Sequence, residues 1–230
     1  MGRGSAVVIV VAAGSGSRLG ADEPKAFLTI GGRPIVCVAV EEACNCPSID
    51  TVIVVSPPGS EDRMRSVLAT VAPGATVVAG GATRQASVRA GLAVTSDAAE
   101  VVVVHDAARP FAAPGLFTEV IDRVASGADA AVPVLAIADT VKRIRDGEVV
   151  STERRDDLAL AQTPQAFRAT LLRDLHERAL GSDQTMTDDA ALFEAVGAHV
   201  VTVTGDPFNF KITTPLDLAH ADALRGGDRG

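Results

Sequence analysis

The chain has 230 residues, of which 47% are hydrophobic and 3% aromatic, and its formal net charge is -8. This length suffices for a full hydrophobic core. The acidic balance argues against a nucleic-acid surface, which needs a net basic face, and no segment is apolar for long enough to span a bilayer. Because aromatic residues are so few, the core must be aliphatic and alanine-rich, which suits helices packed on a parallel sheet.

The first informative stretch is a buried-strand pattern that ends in a glycine-rich loop. Residues 6–25 read AVVIVVAAGSGSRLGADEPK. The Val- and Ile-rich run is typical of a buried parallel strand, and the glycines after it let backbone N–H groups approach an anion. Arg18 and Lys25 add positive charge, so the pattern indicates a phosphate-binding loop. An ordinary turn after a strand, with Lys25 on the solvated surface, is the alternative.

This loop differs from the two commonest phosphate-binding fingerprints. It lacks the Gly-Lys-Ser/Thr ending of a Walker loop and the third spaced glycine of a dinucleotide fold. Residues 3–13 could also pass for a secretory signal, but the charged, glycine-rich loop that follows at once favours a strand inside the fold. We therefore expect a cytoplasmic protein, with its three cysteines as reduced thiols.

Apolar strands and helices alternate through the first half of the chain. Strands are predicted at 51–55, 76–79 and 100–104, and helices at 34–43, around 64–68 and at 84–93. This alternation is the signature of a right-handed βαβ series, whose ligands lie beyond the carboxyl ends of the strands. The loops after the first, third and fourth strands should therefore face one site; they are 14–18, 80–87 and 105–111.

The loop HDAARPF at 105–111 is the second informative stretch. Asp106 directly follows a hydrophobic strand, where a carboxylate can hold Mg²⁺ against phosphates, and Arg109 can make a bidentate contact with an anion. The alternative is that Asp106 caps the next helix and pairs with Arg109. Since that helix is predicted to begin only near Pro114, we favour the functional interpretation.

The pattern changes after a strand predicted at 128–135. A hairpin is predicted to turn on Asp146-Gly147, within an arm at about 138–157. Helices are predicted at 169–180, from a cap at Thr187, and from Pro215 to about 224, with a last strand at 199–203. We predict a single domain over 1–230 with the arm inserted in it.

The arm is rich in charged residues and has few apolar ones. A two-stranded ribbon is marginal by itself in water, so we expect the arm to project and to become ordered against a second copy of the chain. In a two-fold homodimer each arm would cross to the other subunit. The charged run ERRDD at 153–157 has a solvated surface as its alternative explanation.

Three stretches together resemble one family. They are AAGSGSRLG with PK after it, HDAARPF, and LAQTPQAF at 160–167. These motifs are similar to those of the 2-C-methyl-D-erythritol 4-phosphate cytidylyltransferases, enzymes of the non-mevalonate route to isoprenoids. The resemblance covers nearly the whole chain, from Val7 to about residue 224. It implies a three-layer, Rossmann-like α/β nucleotidyltransferase fold with a mostly parallel central sheet, a protruding β-arm and a homodimer.

The resemblance also implies a reaction and a set of site residues. CTP and methylerythritol phosphate would give the CDP-alcohol and pyrophosphate, by in-line attack on the α-phosphorus. The catalytic residues would be Arg18, Lys25 and Lys211, and Asp106 would hold Mg²⁺ or another divalent cation. The nucleotide would contact Ala12, Ala13, Gly14, Ser15, Gly16, Lys25, Gly81, Ser87, Asp106 and Ala107. The acceptor would contact Arg109, Thr140, Thr163, Thr187 and Lys211, together with Arg155 from a partner subunit.

Two other functions stay open at this point. A cytidylyltransferase for another alditol phosphate, such as ribitol 5-phosphate, would share the fold and differ in the acceptor pocket. A catalytically idle nucleotide-binding regulator would have lost a charged residue of the loop, yet every charged residue of the implied site is present.

Ala26 and Ala82 depart from the family's pattern, which usually has a glutamine at the first position and often an acidic residue at the second.

Overall fold

The computed structural model describes residues 5–14, 16, 20, 23–180 and 188–226. Its strands, in chain order, are β1 (Ala6–Val11), β2 (Thr29–Ile30), β3 (Arg33–Pro34), β4 (Thr51–Ser56), β5 (Thr76–Ala79), β6 (Val101–Asp106), β7 (Ala130–Ala136), β8 (Lys142–Arg145), β9 (Glu148–Thr152), β10 (Ala159–Ala161), β11 (Gln165–Arg168) and β12 (Val200–Thr204). Its helices are α1 (Ile35–Cys44), α2 (Glu61–Leu68), α3 (Arg84–Leu92), α4 (Pro114–Ala125), α5 (Ala169–Arg178), α6 (Ala190–Ala195) and α7 (Pro215–Gly226).

Eight of these strands form a mostly parallel central sheet. They follow the order β10-β7-β11-β6-β1-β4-β5, and β12 pairs with β7 in addition. The strands β6, β1, β4 and β5 are parallel to one another, and β12 is parallel to β7. By contrast, β10 and β11 run antiparallel to their neighbours. The predicted α/β class and the mostly parallel sheet are confirmed.

Aliphatic side chains fill both faces of the sheet. Successive residues of β1 point to opposite faces: Val8 packs in a cluster with Phe117 of α4, and Ile9 packs in another with Leu172 of α5. All four side chains are fully buried. Because helices cover both faces, the central strands read as continuous apolar runs instead of alternating ones.

Most predicted elements lie where the sequence placed them, but the fourth strand of the series is longer than predicted. His105 and Asp106 pair with Val10 and Val11 of β1, so they belong to β6 and not to the loop after it. The predicted cap residue Thr187 lies outside the described residues. Helix α6 begins at Ala190.

The segment of the predicted arm contains a hairpin. Strands β8 and β9 pair antiparallel, and Asp146 and Gly147 at its turn have φ angles of 52° and 83°. Two consecutive positive φ angles are what a two-residue turn of this kind requires. Among the described residues the hairpin forms its own sheet, and nearly all of its side chains are exposed. The turn is as predicted, whereas the single domain with a dimerisation arm stays a prediction.

Cys37 and Cys46 are buried and Cys44 is exposed, and none of the three is in a disulfide. The buried Cys37 Sγ–H donates to Val67 O at 3.2 Å. Within the part of the chain that the structure describes, no helix combines the length and the apolar character needed to cross a membrane.

Candidate active site

A cavity of about 370 Å³ lies at the carboxyl ends of β1, β5 and β6. Its wall is formed by segments that are far apart in the sequence. The predicted site residues that line it are Ala12, Ala13, Gly14, Lys25, Gly81, Ser87, Asp106 and Lys211. The expectation that the loops after these strands face one site therefore agrees with the geometry.

Close backbone packing explains the glycines at 80 and 81. A Cβ added to Gly80 would overlap the Cβ of Ala13, and a Cβ added to Gly81 would overlap the Cβ of Ala86. The N–H of Gly81 donates to Ser87 Oγ at 3.1 Å. Glycine at 80 lets the loop after β5 pack against the loop after β1, and glycine at 81 lets it pack against the first turn of α3.

Asp106, the last residue of β6, is the charged centre of the cavity. Its carboxylate accepts hydrogen bonds from Arg84 Nε at 3.1 Å and from Lys211 Nζ at 2.6 Å. Its backbone N–H donates to Thr163 Oγ1 at 3.0 Å. Burial by itself would raise the pKa of Asp106, but the positive charges of Arg84 and Lys211 outweigh it and hold the pKa well below its usual range. Asp106 is therefore ionised at neutral pH.

His105 supports this arrangement from the other face of β6. Burial lowers the pKa of His105 to about 4, so its ring is neutral at physiological pH. Its Nε2 lies 3.1 Å from Arg109 O and its Nδ1 lies 3.2 Å from Thr163 Oγ1. In the neutral form Nε2–H donates to the carbonyl and Nδ1 accepts from the hydroxyl, which orients Thr163 toward the N–H of Asp106.

Arg109 donates to backbone carbonyls. Its Nη1 contacts Asn209 O at 2.8 Å and its Nη2 contacts Ala161 O at 3.2 Å. Asp106 pairs with other cations, and α4 begins at Pro114 with no side-chain cap. The alternative in which Asp106 caps that helix and pairs with Arg109 is therefore wrong.

Two lysines reach the cavity from opposite ends of the chain. Lys25 Nζ donates to the carbonyl oxygen of Ile212 at 2.9 Å, and Ile212 directly follows Lys211 in the sequence. Gly16 has a φ of 67°, and a Cβ there would lie 2.6 Å from the Cβ of Lys25. A glycine is needed at that position because the loop turns back against the lysine stem. Two positive charges thus lie on one wall of the cavity.

A second cavity, of about 210 Å³, adjoins the first. Arg84, Asp106 and Lys211 line both cavities. The second cavity is completed by Arg109, Ala161, Gln162, Thr163, Gln165 and Asp188. Two ligands bound side by side in these cavities would meet at the three shared side chains.

The sequence analysis missed Arg84 and the buried pair behind it. Arg84 Nη1 donates to Asp189 Oδ2 at 2.6 Å, and His176 Nε2 contacts Asp189 Oδ1 at 2.9 Å. Burial by itself would raise the pKa of Asp189 and lower that of Arg84, but their mutual attraction, with His176 and Asp106, shifts each pKa the other way. Arg84 lies in the loop region predicted to face the site, which was an available signal. Asp189 gave no such signal.

Gln162 is a second residue that the motifs did not single out. Its Nε2 donates to Asp206 O at 2.9 Å and to Asn209 O at 3.2 Å, and its Oε1 accepts from Asp206 N–H at 3.1 Å. Asn209 Nδ2 in turn donates to Thr163 O at 2.9 Å. These bonds fix the loop that leads into Lys211.

Some predicted site residues lie away from the two cavities. Thr140 and Arg155 line neither, and both are exposed. Arg155 Nη1 donates to Ala138 O at 2.6 Å beside a different cavity. Ala107 also lines neither cavity; it packs in the hydrophobic core with its N–H bonded to Val11 O at 3.1 Å, and its contact with the nucleotide stays a prediction. The remaining predicted residues, Ser15, Arg18 and Thr187, lie outside the described residues.

The carboxylate of Asp106 suits one kind of metal site. Among the described residues, no group of three or more His, Cys, Asp or Glu side chains is placed to hold a metal ion. Mg²⁺ in nucleotide enzymes is commonly bound by one or two carboxylates, with substrate phosphates and water as the other ligands. Asp106, the acidic residue among those that line the first cavity, fits an ion of this kind that arrives with a nucleotide.

Nucleotidyl transfer depends on alignment of the reacting groups and on charge neutralisation. This site offers cations, the Asp106 carboxylate and a glycine-rich loop at the carboxyl end of a mostly parallel sheet. The class defined by this fold and site is that of the nucleotidyltransferases. The sequence model of IspD, 2-C-methyl-D-erythritol 4-phosphate cytidylyltransferase, matches residues 6–226. The chain belongs to this family, as its motifs predicted.

Individual relatives agree with the family match. The 2-C-methyl-D-erythritol 4-phosphate cytidylyltransferase of Rhodococcus opacus (strain B4) is 46% identical over 225 residues, which cover 97% of this chain and 96% of the relative. The crystal structure of 4-diphosphocytidyl-2C-methyl-D-erythritol synthase from Anaerococcus prevotii DSM 20548 matches with a TM-score of 0.85 and 33% identity, over 96% of this chain and 95% of that one. The crystal structure of the Thermus thermophilus cytidylyltransferase matches with a TM-score of 0.78 and 36% identity, over 96% of this chain and 98% of that one.

Proposed function

We propose that this chain transfers the cytidylyl group of CTP to 2-C-methyl-D-erythritol 4-phosphate in the non-mevalonate synthesis of isoprenoid precursors. The observation that carries the proposal is the pair of adjoining cavities with Arg84, Asp106 and Lys211 in their shared wall. The first cavity would take the nucleotide and the second the acceptor. Their reacting phosphates would then meet among charged groups.

The reaction needs no covalent bond to the protein. An oxygen of the acceptor phosphate attacks the α-phosphorus of CTP, a new P–O bond forms, and the bond to the bridging oxygen breaks so that pyrophosphate leaves. Negative charge accumulates on the α-phosphate oxygens and on the leaving group. Lys25 and Lys211 lie on the cavity wall, where they would offset this charge, and Arg18 would add a third cation.

Asp106 would hold a divalent cation, with Mg²⁺ as the expected ion. Such an ion neutralises phosphate charge and polarises the α-phosphate when it is bound. Arg84 Nε donates to the Asp106 carboxylate, and Thr163 Oγ1 accepts from the backbone N–H of the same residue. These contacts keep the carboxylate at the boundary between the two cavities.

The cytidine would lie against the loops after β1 and β5. Residues 12–14, together with Gly81 and Ser87, offer polar groups there, and Ser15 and Gly16 are assigned to the same set. Ala82 also lines the cavity and offers no polar side chain to the base. We therefore assign base recognition mainly to backbone groups.

We further propose that the chain acts as a homodimer through the arm at about 138–157 of its single domain. Ile144, Val149 and Val150 on the hairpin are 64%, 63% and 53% exposed, which is apolar surface that a second copy would cover. Arg155 lines neither of the two cavities of its own chain. In a two-fold dimer it would enter the site of the other subunit together with Thr140, and would bind the acceptor phosphate there.

Pyrophosphate release, measured with a panel of substrates, tests the proposal. CTP, UTP, ATP and GTP are each combined with methylerythritol phosphate and with ribitol 5-phosphate. The expected result is release with CTP and methylerythritol phosphate that exceeds release with every other pair. Preference for ribitol 5-phosphate would assign a different acceptor, and CTP binding without any pyrophosphate release would indicate a regulator.

A further inference from the structure

We propose that Arg84 is a positioning residue for this reaction: anchored by the buried Asp189, it holds Asp106 at the wall shared by the two cavities. The inference rests on the proposed function, because it concerns the same site. Neither Arg84 nor Asp189 is among the site residues that the family motifs implied.

The geometry links four side chains in a line. Arg84 uses Nε for Asp106 Oδ1 at 3.1 Å and Nη1 for Asp189 Oδ2 at 2.6 Å. The other oxygen of Asp189 is held by His176 Nε2 at 2.9 Å. Asp189 is fully buried and His176 is 1% exposed, so neither can reach a ligand directly. Any effect of this pair on the reaction passes through Arg84.

The two cations on Asp106 differ in how firmly they are held. Arg84 is fixed by a second carboxylate, and its side chain is 24% exposed. Lys211 Nζ has Asp106 Oδ2 as its carboxylate partner, and its side chain is 38% exposed. Lys211 can therefore turn to a phosphate when substrates enter, while Arg84 stays on Oδ1. The oxygen Oδ2 is then released toward the ligands without loss of the carboxylate's orientation.

Stabilisation of the fold is a weaker explanation for this network of ion pairs than positioning of Asp106. A buried ion pair gains little net stability, because the cost of removing its charges from water offsets their attraction. When one guanidinium bonds two buried carboxylates, its planar fork holds both at defined angles, so the orientation of the Asp106 carboxylate is fixed relative to Asp189. A lysine at the same position would keep the charge but lose the fork.

The test compares Arg84→Lys and Asp189→Asn with Arg89→Gln, a control on the same helix. The readouts are kcat, the KM of each substrate, the melting temperature, and the affinity for Mn²⁺ in the presence of CTP, measured by electron paramagnetic resonance. Removal of a group that orients a metal ligand typically costs about 10- to 100-fold in metal affinity or activity. We expect a loss of this size in Mn²⁺ affinity and kcat for both variants, with the acceptor KM nearly unchanged.

The double variant Arg84→Lys/Asp189→Asn tests whether Asp189 acts on the reaction through Arg84. If Asp189 acts through Arg84, its substitution adds little to the loss already caused by Arg84→Lys. Kinetics and Mn²⁺ affinity equal to those of Arg89→Gln, with only the melting temperature lowered, would overturn the inference. If Asp189→Asn does not fold, Arg84→Lys alone decides the question. Inactivity of the unmodified chain would refute the proposed function, and the Mn²⁺ measurement would still test Arg84.

Discussion

The surroundings of Asp106 and the hairpin of β8 and β9 hold their charged residues in opposite ways. Asp106 is buried and bonded to Arg84 and Lys211, which come from segments 22 and 105 residues away. On the hairpin, Arg143 Nε pairs with Glu153 at 2.8 Å and Lys142 Nζ with Thr152 at 2.6 Å, each ten residues away and exposed. The first group is fixed by the fold, and the second by local pairs alone.

The two regions therefore differ in how far contacts within one chain hold their charged residues in place. The contacts of the first cavity lie within one chain and connect β1, β5, β6 and the segment before α7. Exposed pairs contribute little to stability and do not cover apolar side chains. The exposed apolar side chains of the hairpin fit the proposed dimer, in which a second copy of the chain would cover them.

Removal of divalent cations should have the largest effect, and it should be confined to the cavity. EDTA is expected to abolish pyrophosphate release, because Asp106 is the acidic residue that lines the first cavity and oxygen-preferring ions suit it. Addition of excess Mg²⁺ should restore the reaction. Circular dichroism before and after chelation should show an unchanged fold. Full turnover in metal-free buffer would remove the metal from the mechanism.

Substitution of the cavity lysines should come next. Lys25→Ala and Lys211→Ala each remove a cation placed near developing negative charge, and the loss of one such group typically costs about 3 kcal/mol in the barrier, or some hundredfold in kcat. Arg123→Ala, which removes an exposed cation of α4 away from both cavities and from the arm, is the control and should leave kcat unchanged. Melting temperatures check that the variants fold. Near-normal turnover of either cavity variant would exclude that lysine from the mechanism.

Mixed subunits test whether the two regions meet across a dimer. Lys25→Ala and Arg155→Ala are each expected to be nearly inactive alone. After subunit exchange at equal amounts, half of the dimers are mixed and each of these has one intact site, so about a quarter of the sites should recover if Arg155 acts in its partner. Exchange is verified by mass spectrometry of labelled chains. No recovery despite verified exchange, or an active monomer in sedimentation, contradicts the arrangement.

The smallest effect on the free energy of unfolding is expected at the hairpin. Ile144→Ser changes an exposed side chain and should alter this free energy by about 0.5 kcal/mol or less, whereas Leu172→Ala in the core should lower it by about 2–5 kcal/mol. Urea titration at low protein concentration measures both. Sedimentation should show weaker dimers for Ile144→Ser. A large loss of stability in dilute Ile144→Ser would mean that the hairpin packs on its own domain.

Local pattern predicted much of the fold and part of the site. The apolar runs located the central strands, and Asp146-Gly147 located the hairpin turn. The pattern missed the end of β6, because His105 and Asp106 are polar while their ladder with β1 continues. It also missed the contact of Arg84 with Asp189, which joins residues 105 positions apart and leaves no local trace.

The cavity joins segments of the chain that are synthesised at different times. Lys25 Nζ is bonded to Ile212 O, and Ile212 N–H donates to Ala108 O at 2.9 Å, so an early, a middle and a late segment converge at the cavity. Domains generally fold as units during translation. A nascent chain can thus form the β1, β4, β5 and β6 part of the sheet long before it has Lys211. The contacts of residues 211 and 212 with the cavity can form only after this segment has left the ribosome, so, with Lys211 in its proposed role, the growing polypeptide gains activity only at that late stage.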